Sequence, residues 1–158
     1  MLRTFSLHAI AHAARCTPNQ IRDWRRQGFL TDYGERFEKG GFYSAVEAVS
    51  IAFAALLVRT GISAKSAFQG ARQYDWALHG LLVGAEGMHG GEYVVTISID
   101  PEKPDDFVSA AFRSTTCFVT SFLDQSRPLA IHIGLSTLVA STLGRLESFS
   151  ERSAGRFA

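Results

Sequence analysis

The chain has 158 residues, 46% of them hydrophobic, enough to bury one mid-sized core or two small ones. A formal net charge of +1 excludes a chain that is basic throughout. The charge is uneven, however. Residues 1–74 carry ten Lys or Arg against five acids and the remainder six against ten, so a bound polyanion is expected at the front.

Leu7, Ile10, Ala11 and Ala14 recur at helical spacing and predict a first helix from about Ser6 to Ala14. After a break at "RC", Thr17 offers an N-cap, Pro18 suits the first helical position and Gln20 completes a T-x-x-Q capping box. Gly28 is the expected stop, with Phe29 and Leu30 folding back onto the core. On this second helix Ile21, Trp24 and Gly28 share one side, while Asn19, Arg22, Asp23 and Arg26 share the other. Arg25 flanks the apolar stripe. Trp24 is therefore expected in the core and the arginines outside.

"TDYGERFEKGGFY", residues 31–43, reads as a short β-hairpin with a glycine-permitted turn. Ser44 and Glu47 repeat the capping box ahead of an apolar helix that Gly61 ends, and Ser63 can cap another from about Ala64 to Tyr74. Beyond Tyr74 the pattern changes. "LHGLLVG" and "EYVVTISID" read as strands around the glycine-rich "AEGMHGG". Pro101 and Pro104 break the chain, Asp105 and Asp106 read as a helix-start cap, and "CFVTSFL" and "PLAIHIG" read as further strands. Leu135, Leu138, Val139, Thr142, Leu146 and Phe149 line one face of a closing helix, before a loose polar tail from about Ser150.

Cys16 and Cys117 form neither CxxC nor finger spacing, and "FSLHAIAHAA" has two histidines inside its apolar part, unlike a signal peptide. A reduced, cytoplasmic protein is expected. Cys117, in an apolar stretch, reads as a packing thiol. The most apolar run, Ala45 to Val58, is too short to span a bilayer and contains Glu47, so no membrane partner is expected. His8 and His12 have the i, i+4 spacing of metal ligands but lack a third ligand, and His79, His89 and His132 form no ligand pattern; neither a metal nor another cofactor is expected. With no G-x-x-x-x-G-K, no G-x-S-x-G and no paired carboxylates, an enzyme is not expected either.

The front of the chain, from about Phe5 to Tyr74, resembles the winged helix-turn-helix of the MerR-like regulators and their excisionase relatives. The resemblance rests on "LHAIAHAA" as first helix and "TPNQIRDWRRQGFL" as recognition helix, followed by "GGFYSAVEAV" and "RTGISAKSAF" where the family has its wing tyrosine, next helix and G-[IF]-S turn. It implies a homodimer on double-stranded DNA, with the second helix in the major groove and a wing ending at Tyr43 on the flanking backbone. The family often has an arginine just before that tyrosine; here Phe42 stands there, leaving Arg36 and Lys39 to carry the wing's charge. Strands, rather than one long dimerisation helix, follow the winged helix.

The expected fold class is thus α+β. Residues 1–74 are read as a MerR-like winged helix-turn-helix, 75–150 as a small α+β domain for dimerisation or a protein partner, and 151–158 as a loose tail. The expected function is sequence-specific DNA binding in transcription regulation, by Thr17, Asn19, Gln20, Arg22, Arg25, Arg26, Arg36, Lys39 and Tyr43. Asn19 and Gln20 suit an adenine edge, and Arg22 or Arg26 a guanine or a phosphate. The alternatives are an excisionase-like architectural factor, or a protein–protein adaptor that keeps the winged helix as scaffold. Exposed rings at Phe29, Tyr33 and Phe37 would favour the adaptor.

Overall fold

The computed structural model describes residues 4–31, 42–84, 92–114 and 129–154. Among the described residues the fold is mixed, with six helices and two small antiparallel sheets. Its front begins with β1 (Phe5–Ser6) and α1 (Leu7–Ala14), followed by α2 (Pro18–Arg26). Ser6 caps α1, its Oγ accepting from the Ala9 N–H at 3.3 Å. The capping box at the head of α2 is complete: Thr17 Oγ1 accepts the Gln20 N–H at 3.1 Å and Gln20 Oε1 accepts the Thr17 N–H at 2.8 Å. Gly28, at φ 81°, closes α2, with the Phe29 N–H on the Trp24 carbonyl and the Gly28 N–H on that of Arg25, both at 3.0 Å. This pair of bonds is a Schellman motif, and glycine takes its left-handed position without a Cβ clash.

The predicted hairpin falls mostly at residues 32–41, outside the described residues. Its last two residues form β2 (Phe42–Tyr43), which pairs antiparallel with β1, Phe5 opposite Tyr43. α3 (Ala45–Arg59) follows, with the Ser44–Glu47 capping box formed. Its residues from Ala48 to Ala55 are buried without a break, so it is the central helix, with α1 and α4 (Ala64–Arg72) packed against it.

Three expectations for the back of the chain are corrected. "LHGLLVG" is not a strand; it belongs to α5 (Asp75–Val83). A short apolar run fits a strand or a buried helix equally, and here the surroundings decide. The Tyr74 carbonyl accepts the Ala77 and Leu78 N–H groups, and buried Ser50 of α3 donates its hydroxyl to Asp75 Oδ1 at 2.6 Å. Pro104, Asp105 and Asp106 do not start a helix. They lie in β4 (Lys103–Ser114), where the register against β3 shifts between Lys103 and Phe107, so Pro104 faces no ladder partner on β3 and its missing N–H is tolerated. The predicted tail is helical as far as Ala154, the end of α6 (Leu135–Ala154). The apolar stripe of that helix packs on its own chain, against α1, α3 and the sheet. "AEGMHGG" and "CFVTSFL", with Cys117, lie outside the described residues.

β3 (Glu92–Asp100) is the central strand, flanked by β4 and β5 (Leu129–Gly134), with Val95 opposite Ile133 and Ile97 opposite Ile131. The sheet docks on the front half at defined points. Gly70 of α4 lets Phe107 of β4 approach so closely that a Cβ at 70 would lie 2.9 Å from its ring. Tyr74 donates its hydroxyl to Ser109 Oγ at 2.8 Å, and Asp105 Oδ1 accepts the N–H of Ser63, the N-cap of α4, at 2.9 Å. Ile10, Ile21, Trp24, Phe53, Phe68, Leu78, Ile97 and Leu146 belong to one hydrophobic cluster. The change from helices to strands therefore comes after α5, at β3, and both parts share one packed core. No described helix is long and apolar enough to cross a membrane.

Candidate nucleic-acid interface

The inward side of α2 is held by two residues, Ile21 and Trp24, both buried. The Trp24 ring meets Phe68 of α4 edge-on at 5.3 Å, and Phe29 stacks on the other part of Phe68 at 6.2 Å. This aromatic cluster fixes the rotation of α2. Arg22, Arg25, Arg26, Asn19 and Gln20 consequently face solvent.

Asn19, Arg22, Asp23, Arg25 and Arg26 line an open recess of about 630 Å³ on that outward side. Within it, Arg22 Nη1 donates to Asn19 Oδ1 at 2.7 Å, and Arg26 forms an ion pair with Asp23. Both are pairs three residues apart on one helix face, worth only a few tenths of a kcal/mol. With the Arg26 side chain 78% exposed, its guanidinium can leave Asp23 for another anion at small cost. Asp23 thus orients Arg26 in the free protein. At the helix start, Pro18 has no N–H and Thr17 takes that of Gln20, leaving the Asn19 N–H as the open donor of the first turn.

Tyr43 is corrected as a contact residue: its side chain is fully buried, 0% exposed. The Arg25 guanidinium lies over its ring, 5.4 Å from the centroid. Burial raises the Tyr43 pKa, and the Arg25 charge opposes that rise. Tyr43 therefore supports Arg25 from below. Thr17 and Gln20 are exposed, but each gives a side-chain oxygen to the capping box. Arg36 and Lys39 lie outside the described residues, as do Tyr33 and Phe37, whereas Phe29 is half-buried.

Sequence reasoning missed Arg72, whose Nη2 donates to the Phe29 carbonyl at 3.2 Å and so brings a further guanidinium to the end of α2. It lies 43 residues away in sequence, and no local pattern marks it. His8 and His12 are exposed, the His12 ring 5.5 Å from that of Phe149. Among the described residues no group of three His, Cys, Asp or Glu could hold a metal ion. Burial pushes the Cys16 thiol up to about 11, opposed by Arg59, so it is protonated and unreactive at neutral pH. Comparison with protein-family models gives no match, and comparison with curated proteins gives none either.

Proposed function

We propose that the chain binds double-stranded DNA in a sequence-specific way through the outward side of α2, as a dimeric transcriptional regulator of the MerR-like kind. The observation that carries this reading is the separation of the two sides of α2. Trp24 and Ile21 anchor one side, Arg22, Arg26 and Asn19 occupy the other, and Arg25 flanks them, lying exposed over the Tyr43 ring. An N-terminal turn with an open N–H and a positive dipole end favours a phosphate, and the arginines and Asn19 match base edges or phosphates. Dimerisation is part of the proposal on affinity grounds, since one helix makes few phosphate contacts.

The adaptor reading draws on Trp76, 60% exposed on α5, and on Phe42, 45% exposed. One experiment separates the two. The full chain is selected against random duplex DNA at two salt concentrations, beside an Arg22→Ala/Arg26→Ala double variant. The regulator reading expects an enriched site and a steep salt dependence whose slope falls by roughly 2 in the variant, about 0.9 per lost phosphate contact. A folded protein that binds no duplex at low salt would overturn it in favour of the adaptor.

A further inference from the structure

A second recess, of about 460 Å³, opens where the end of α1, the end of α3, β5 and α6 meet, and it shares no lining residue with the recess on α2. Three arginines from three parts of the chain converge on it: Arg15 after α1, Arg59 ending α3, and Arg145 on α6. Arg59 Nη1 donates to the carbonyls of Ala14 at 3.0 Å and Arg15 at 3.3 Å, and Arg145 Nε donates to that of Ala13 at 2.8 Å. These bonds satisfy the last carbonyls of α1, the negative end of its dipole. That role accounts for two of the guanidiniums and leaves an excess of positive charge. No ion pair to a carboxylate among the described residues offsets it at any of the three. Burial first, then the charges of Arg15 and Arg59, lower the Arg145 pKa, although a guanidinium stays charged at any physiological pH.

Arg15 holds a left-handed backbone, φ 54° and ψ 44°, in the position that Gly28 fills after α2. A Cβ is strained there and glycine or asparagine would fit more easily, yet this residue brings the third guanidinium to the recess. The remaining wall is different in kind. Leu56 and Leu138 present half-buried apolar surface, and His132, joined to Thr96 by a 3.0 Å hydrogen bond between Nδ1 and Oγ1, stands exposed beside them. A concave site of this volume, part apolar and part cationic, suits a small ligand.

We infer that this recess binds a small organic anion, its phosphate or carboxylate head held by Arg15, Arg59 and Arg145 and its apolar body lying on Leu56 and Leu138. Arg15 precedes Thr17 by two residues, so the anion sits at the turn that leads into α2. The inference stands independently of DNA binding by that helix.

The test is calorimetric titration of the full chain with phenyl phosphate, benzoate and inorganic phosphate at one ionic strength. Saturable binding at one site is expected for an organic probe, tighter than for inorganic phosphate, and the better of the two organic probes identifies the head group. Arg15→Asn removes the charge, tolerates the left-handed backbone and leaves the bonds to the α1 carbonyls in place; it should weaken binding about tenfold. Leu138→Ser should erase the preference for the organic probes. Failure of all three probes to saturate would overturn the inference, as would unchanged binding by Arg15→Asn or equal affinity for inorganic phosphate. Duplex DNA retained by Arg22→Ala/Arg26→Ala but lost on Arg15→Asn would assign the recess to the nucleic-acid backbone and overturn it too.

Discussion

The molecule carries two sets of three arginines that are built in opposite ways. Arg22, Arg25 and Arg26 come from a single helix and are held by side chains alone, namely Asn19, the Tyr43 ring and Asp23. Arg15, Arg59 and Arg145 come from residues far apart in sequence, and two of them are tied to backbone carbonyls of α1. The first set can be redirected toward an incoming partner, because exposed side-chain pairs are weak. The second set is part of the structure as well as a charged surface, because it satisfies the end of a helix. Arginines that look alike in composition therefore differ in what their removal does.

The largest test of this contrast addresses what holds α2 in place. Trp24→Ala should lower stability by about 3–5 kcal/mol in urea unfolding, since it removes the ring packed on Phe68 and leaves a cavity. A loss below about 1 kcal/mol would show that the outward direction of the arginines is not set by the inward side. Arg59→Ala should cost about 1–2 kcal/mol, through two lost hydrogen bonds and a lost cation at a helix C-terminus. Arg22→Ala, measured in the same way, should stay within about 0.5 kcal/mol of the parent, as surface substitutions usually do. Equal losses from these two variants would break the comparison.

A further test concerns Cys16, beside Arg59. Its thiol is raised from 9.0 to about 11 in the folded chain, so on raising the pH the unfolded chain loses that proton first. The contribution to stability is then whole below about pH 9 and declines between about 9 and 11. In a Cys117→Ser background, the urea midpoint should fall less from about pH 8 to about pH 10.5 when Cys16 is also replaced by serine. An identical fall in both proteins would mean that Cys16 titrates alike folded and unfolded.

Much of the front half was legible in the sequence. The capping boxes at Thr17–Gln20 and Ser44–Glu47 and the glycine stops at Gly28 and Gly61 appear where they were read, because each is a bond or a dihedral within a few residues. The inward position of Trp24 was legible for the same reason, as helical spacing fixes which side chains share a face. Of the proposed contact residues, Asn19, Arg22, Arg25 and Arg26 stand together on the outward side. Tyr43 was misread, since a strand of two residues does not reveal which of its faces meets the core.

The sequence by itself determined where α1, α2 and α3 begin, where α2 and α3 end, and which side of α2 is charged. These follow from hydrogen bonds and periodicities between residues three or four apart, which need no other part of the chain. The tertiary structure alone decided that "LHGLLVG" is helical, that β4 runs through Pro104, that Tyr43 lies beneath Arg25, and that Arg15, Arg59 and Arg145 meet at the end of α1. Each of these depends on contacts between residues distant in sequence, where packing and burial override local preference.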